Sequence, residues 1–210
     1  MHYNASSNDH GLPYNPFKAI VAPRPIGWIT TMDGAGRLNC APYSFFNAVS
    51  DRPPMVAFSS QGMKDSASIA EESGEFTCSF ASFDLRDQLY LTSAALPRGT
   101  DELALAGLAP APSRFVRPPR VAAAPAALER KYLSTTPLTA RDGSTSYFLV
   151  VGEVVGVYID DRFIEGGLVD TGAMRPLMRA GYDLYASLGR EQMFRLDKPE
   201  GEVRVTELLR

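Results

Sequence analysis

The chain has 210 residues, 45% hydrophobic and 21% charged, with 21 Lys and Arg against 24 Asp and Glu for a net charge of -3. That balance excludes disordered, collagenous and fibrous classes, and a weakly acidic charge does not suit a nucleic-acid or anionic-membrane partner. Seventeen glycines and 16 prolines, where average usage would give roughly 25 together, mark a chain that turns often. The length suits one domain over residues 1–210, with a core large enough to need no staples. Two cysteines, Cys40 and Cys78, make neither a disulfide framework nor a four-thiolate zinc site. The polar opening lacks the basic end and apolar stretch of a signal peptide. Apolar runs such as Phe148–Val151 fall far short of the ~20 residues that span a bilayer. A soluble, cytoplasmic protein is expected.

In chain order, the opening twenty residues, broken by Gly11, Pro13 and Pro16, read as an irregular lead-in, most irregular over 1–15. Ile26–Met32 is β-branched and aromatic, which favours a strand. Asp33-Gly34-Ala35-Gly36 supplies turn residues, and Leu38–Ala41 returns as the second strand of a hairpin. Met55–Ser60 reads as a further strand entered through Pro53-Pro54. Ser66–Ser73 has helical character and stops at Gly74, a suitable C′ residue. Glu75–Phe80 alternates at period two, which predicts one buried face carrying Phe76, Cys78 and Phe80. Asp84 is placed to cap a second helix running through Ala95, with Leu85 and Leu89 facing inward.

Residues 110–131 hold five prolines and predict an extended connection with some strand or short helix. Ser146–Ile159 follows as a long strand, apolar on both alternating faces apart from Ser146 and Glu153. Such a strand is covered on both sides or wraps round a closed barrel. Its fourteen residues would reach ~46 Å at ~3.3 Å each, and Gly152 and Gly156 are natural places for a bend or bulge. Short strands, few helices and one long bent strand predict a mainly β protein, a barrel with peripheral helices.

Familiar catalytic signatures are missing. No H-E-x-x-H, G-x-S-x-G or Walker A motif occurs, and the only histidines, His2 and His10, lie in the lead-in. A His-based triad or three-His metal site therefore cannot be built within one chain. Gly34-x-Gly36 sits in a hairpin turn, with Asn39 where a dinucleotide fingerprint needs its third glycine. Asp160-Asp161 are strand neighbours pointing to opposite faces, which suits a solvated strand end. Cys78 reads as a packed thiol, and Cys40 has no nearby base to activate it.

Two clusters carry chemical promise. Ser59-Ser60-Gln61-Gly62-Met63-Lys64-Asp65-Ser66 joins a strand to a helix, and free N–H groups, a lysine and hydroxyls suit a phosphate. An ordinary capped helix, with Asp65 as its cap, fits the same residues. Asn39 to Ala48 mixes amides, hydroxyls, small residues and aromatics, fit either to hold a flat polar ring or to form a buried turn. Thr30 and Thr31 could add hydroxyl donors.

The block from Pro16 to Thr31, the block from Asn39 to Ser50 followed by Pro53-Pro54, the Lys64-Asp65-Ser66 step, Gly74-Glu75-Phe76 and Gly152–Gly156 resemble, in order, the flavin reductase-like, FMN-binding split-barrel proteins. The resemblance covers roughly residues 10–195. It implies a Greek-key split barrel of about six antiparallel strands, a homodimer, and FMN near the dimer interface. By that resemblance Thr30, Thr31, Asn39, Ala41, Ser44 and Asn47 surround the flavin, and Ser59, Ser60, Lys64 and Ser66 hold its ribityl chain and phosphate. Cys40 stands where the family leads one to expect an apolar residue such as leucine. A flavin carries its own redox chemistry, so no catalytic side chain and no metal ligand is nominated. The activity implied is a flavin reductase taking hydride from NADH or NADPH and passing electrons to free flavin, a partner monooxygenase, iron or oxygen. The alternative is an FMN-binding electron carrier or flavin-holding module without nicotinamide turnover.

Overall fold

The structure, a computed structural model, describes residues 1–196. Its frame is seven strands: β1 (Gly27–Met32), β2 (Leu38–Tyr43), β3 (Phe46–Asp51), β4 (Pro54–Gln61), β5 (Glu75–Phe80), β6 (Ala126–Thr139) and β7 (Thr145–Ile159). They form one antiparallel sheet in the order β2-β1-β5-β6-β7-β4-β3. Among the described residues five α-helices lie outside it: α1 (Phe17–Ile20), α2 (Asp65–Ser73), α3 (Arg86–Leu91), α4 (Glu102–Leu105) and α5 (Thr171–Met174).

The two edge strands of this sheet, β2 and β3, are consecutive in the chain and separated by Ser44 and Phe45 alone. Three peptide links reach at most ~11 Å, so the sheet must curl until its ends meet. The seam is packed. Ser59 N–H of β4 donates to Phe45 O at 2.8 Å, and the Tyr43 and Phe58 rings lie 4.7 Å apart. Gly27 allows the closest approach, since a Cβ there would stand 2.5 Å from the Phe46 ring. The result is the mainly β barrel with peripheral helices that the sequence predicts, with one strand more than the expected six or so.

Strands β1 and β5 are buried on both faces. On β1, Ile29 enters a cluster with Phe58, Phe76, Cys78 and Val150, to which α2 adds Ala67 and Ala70. Its neighbour Trp28 enters a second cluster with Leu89 of α3, Leu103 of α4, Val121 and Leu177. On β5, Phe76 and Cys78 are buried as predicted, but Thr77 and Ser79 are buried too and Phe80 is only half-buried. The Pro-rich segment causes the difference by lying over the outside of β5. Thr77 Oγ1 donates to Pro119 O at 2.7 Å, and Val121 N–H donates to Ser79 Oγ at 2.9 Å.

Two further elements differ from the sequence expectation. The helix expected from Asp84 to Ala95 is a 3₁₀ turn at Phe83–Leu85 followed by α3, which ends at Leu91. Asp84 does not cap it but pairs with Arg175 at 2.9 Å. Thr92 closes the helix, its hydroxyl donating to Leu89 O while accepting from Trp28 Nε1–H, both at 2.9 Å. The connection before β7 holds a short strand pair, Pro110–Ala111 with Arg120–Val121, as expected of it, but ends in the 14-residue β6, which was not expected. Polar residues and Pro137 disguise β6, because its second half leaves the core as one leg of a ribbon with β7.

Arg130 of β6 is fully buried, between the Phe46 and Phe76 rings at 5.6 and 5.3 Å. None of its three guanidinium nitrogens meets a hydrogen-bond partner among the described residues, so aromatic faces are its main compensation. Burial holds its pKa below the usual arginine range.

β7 shifts register against β6 between Val151 and Gly152 and between Val154 and Gly156, as its glycines predict. A Cβ at Gly152 would lie 2.6 Å from Phe76 Cζ and 3.2 Å from Lys131 O. Gly152→Ala is therefore expected to cost ~1–3 kcal/mol through overpacking. A urea titration should show a lower midpoint at unchanged slope, and an unshifted midpoint would mean the Phe76 ring yields freely.

Candidate functional site

The barrel seam opens into a cavity of about 520 Å³, within the usual range of small-molecule and cofactor sites. One wall is β2 and its exit, Asn39 and Ala41 to Phe45; Ser59 and Gln61 of β4 and Tyr147 of β7 continue it. The start of α2 contributes Lys64, Asp65 and Ser66, the segment after α3 contributes Thr92 to Leu96, and Glu102 of α4 and Lys18 of α1 complete the ring. Tyr43, Phe45, Tyr147 and Leu96 provide apolar cover beside these polar edges.

Hydrogen bonds hold the β2 wall in place. Asn39 Nδ2–H donates to Ser66 Oγ at 2.8 Å and to Thr31 Oγ1 at 3.3 Å. The next residue, Cys40, donates its backbone N–H to Glu102 Oε2 at 2.9 Å. The Cys40 thiol has no exposure and accepts from Thr30 Oγ1 at 3.5 Å; burial pushes its pKa up to about 12. Burial also raises the Tyr43 phenol, against the opposing hydroxyls of Ser66 and Ser60. Glu102, 7% exposed, is raised by burial and by the nearby Asp65 and Asp101 carboxylates, which together outweigh the Cys40 N–H.

Two features have no partner among the described residues. Ser59 Oγ and Ser60 Oγ are buried without a hydrogen bond, and Ser59 lines the cavity. Lys18 and Lys64 have no acidic partner within 4.0 Å among the described residues. Asp65 does not cap α2, whose N-cap position is Lys64 with no side-chain cap bond, and lies instead 3.9 Å from Arg98. The N–H groups opening the nine-residue α2 therefore keep no side-chain acceptor from the cap residue. Unpartnered donors and two free amines fit an anionic, hydroxylated ligand such as FMN.

Six of the ten residues nominated from sequence line this cavity: Asn39, Ala41, Ser44, Ser59, Lys64 and Ser66. Thr30, Thr31 and Ser60 are fully buried behind the wall. Asn47 lies outside it, exposed on β3, where its own Oδ1 accepts from Ala48 N–H at 2.9 Å. Gln61, part of the Ser59–Ser66 cluster, lines the cavity too, whereas sequence reasoning missed Lys18, Glu102, Tyr147 and the Thr92–Leu96 segment. Glu102 looks like an ordinary acid in a helical first turn, and only folding brings it to β2.

The chain matches the flavin reductase-like domain over residues 21–178. The chain belongs to that family. A protein of Deinococcus radiodurans, itself uncharacterised, is 37% identical over 192 residues, covering 86% of this chain and 82% of its own. Among solved structures, nitrilotriacetate monooxygenase component B from Bacillus cereus is 29% identical with a TM-score of 0.84, covering 93% of this chain and 98% of its own. The Pseudomonas fluorescens 2-nitrobenzoate 2-nitroreductase is 25% identical with a TM-score of 0.83, covering 98% and 100%. A split-barrel flavin reductase from Shewanella frigidimarina, at 19% identity and a TM-score of 0.81 over 95% of this chain and 100% of its own, shares the fold. This member of the flavin reductase-like family thus has the split-barrel architecture, with no helix among its described residues long and apolar enough to cross a membrane.

Both thiols of this family member are buried, Cys40 at 0% and Cys78 at 5% exposure. A thiol reagent such as Ellman's should therefore titrate neither in the native protein and both after unfolding in denaturant. Rapid native labelling of Cys40 would show that the β2 wall opens.

Proposed function

We propose that this chain is an FMN-dependent flavin reductase, taking hydride from NADH or NADPH and passing the electrons to free flavin or to a partner such as a monooxygenase. The observation that carries this reading is the seam cavity, where the buried, unpartnered Ser59 Oγ, the free Lys64 and the start of α2 converge. In this reading Ser59, Lys64 and Ser66 hold the phosphate and ribityl chain. Asn39, Ala41 and Ser44 meet the flavin ring, and the aromatic lining excludes water from its face. Thr30, Thr31 and Ser60 support that wall from behind, Thr31 through its contact with Asn39. Once bound, FMN supplies the hydride and single-electron chemistry, and the protein's part is to bind, orient and shield it. The likeness to a monooxygenase component B supports a reductase that serves a second enzyme.

The same reading takes the protein as a single cytoplasmic domain that works as a homodimer. Asn47, Ala48 and Val49 are exposed on β3, a sheet edge beside the cavity, and an uncovered edge with an apolar residue is what a second copy would cover. Asn47 would then reach the flavin site from this interface. A monomer by light scattering at micromolar concentration would count against that arrangement.

Anaerobic stopped-flow of the FMN-loaded protein with NADH and then NADPH, following flavin absorbance, tests the activity. Fast bleaching by either is expected and names the donor. Bleaching by dithionite alone would instead make the protein an electron carrier. Lys64→Ala should weaken FMN about tenfold or more, given ~1.5–3 kcal/mol for a charged hydrogen bond, and riboflavin much less. Equal losses measured by flavin fluorescence titration would remove Lys64 from the phosphate site.

A further inference from the structure

Two carboxylates on the cavity wall, Asp65 and Glu102, oppose an anion, and Glu102 is the buried one. Glu102 lies at 7% exposure with its Oε2 held 2.9 Å from the Cys40 backbone nitrogen. The residue before it on β2, Asn39, holds Ser66 at 2.8 Å. The carboxyl and the start of α2 thus hang on consecutive residues of one strand, both line the same cavity, and Asp65 of α2 is near enough to act on the carboxyl. We infer, on the basis of the FMN reading above, that Glu102 couples binding of the FMN phosphate to uptake of one proton and thereby makes selection of phosphate-bearing flavin dependent on pH.

The charges around Glu102 support the sign. From its own turn it faces Asp101, and from α2 it faces Asp65. From β2 it meets the Cys40 N–H and lies near the Tyr43 phenol, whose pKa, like that of the Cys40 thiol, is raised so that neither carries charge at neutral pH. Lys64 and Lys18 line the same cavity, whereas Arg98 is drawn to Glu72 at 2.9 Å and Asp65 at 3.9 Å. Burial and like charge already favour the protonated carboxyl. A phosphate carrying close to two negative charges adds a third like charge to Asp65 and Asp101, so it binds better when Glu102 is neutral. By reciprocity, bound phosphate raises proton affinity at Glu102 by the same factor. The phosphate's own second ionisation works in the opposite direction, because nearby lysines favour its dianion and would release protons on binding. Net uptake is therefore diagnostic of the carboxyl.

The test is calorimetric titration of wild type and Glu102→Gln with FMN and with riboflavin, in buffers of different ionisation enthalpy. Fluorescence Kd values between pH 5 and 8 accompany it. Gln keeps an oxygen acceptor for the Cys40 N–H, and a thermal midpoint no lower than wild type, with riboflavin still bound, confirms the fold. Wild type should take up a proton with FMN but not with riboflavin, its FMN Kd weakening as pH rises towards neutral by up to about tenfold per unit, the limit for one proton. Glu102→Gln should bind FMN more tightly at neutral pH, with a flatter profile and no uptake. Proton uptake and pH slope unchanged in Glu102→Gln, or no uptake in wild type, would overturn the coupling while leaving FMN binding intact. Failure of wild type to bind FMN at any pH would overturn the FMN reading and this inference together.

Discussion

Everything in this molecule depends on the two-residue link between the edge strands of its sheet. Ser44 and Phe45 bind the end of β2 to the start of β3, and because these strands lie at opposite edges of the ladder, the link converts an open sheet into a closed wall. The seam is also where the cavity of about 520 Å³ opens. The backbone that closes the barrel is thus the backbone that would meet a ligand, and Gly27 is small because Phe46 must come close to complete the closure.

Closure demands burial on both faces, and the molecule meets that demand from outside as well as inside. The Pro-rich segment has few N–H groups to offer a ladder but keeps its carbonyls. These accept from Thr77, while Ser79 accepts a backbone N–H from Val121. Polar residues on the outer face of β5 are thereby buried with partners. Arg130 of β6 is buried without a hydrogen-bond partner among the described residues and lies between two aromatic rings.

The electrostatics of the cavity divide it into two parts. Free amines and an orphaned hydroxyl suit an anion, while on the same wall the buried Glu102, whose carboxyl pKa is raised by burial and by its acidic neighbours, opposes one unless it is protonated. A pocket lined by no His and no activated thiol can still serve redox chemistry, since a bound flavin brings its own. The protein then contributes shape, exclusion of water and local charge.

The residue pattern determined the strands β1, β2, β4, β5 and β7, the helix ending at Gly74 and the bends at Gly152 and Gly156, because each is set by local propensity, turn chemistry or a glycine's lack of Cβ. It also placed the two clusters that meet at the cavity, legible through ordered blocks resembling a known family. Local signals could not reveal β6, whose exposed, polar second half is held by pairing to β7. Nor could they show that α3 stops at Leu91, since the reason is a hydrogen bond from Trp28, 64 positions away. Thr30, Thr31 and Asn47 were nominated with the cavity residues, yet strand twist and closure set two behind the wall and one outside it. Glu102 became part of the site only when α4 packed on β2. Sequence determines what each segment is able to form, and tertiary contact decides which side chains share a cavity, because contacts between distant positions leave no local periodic trace.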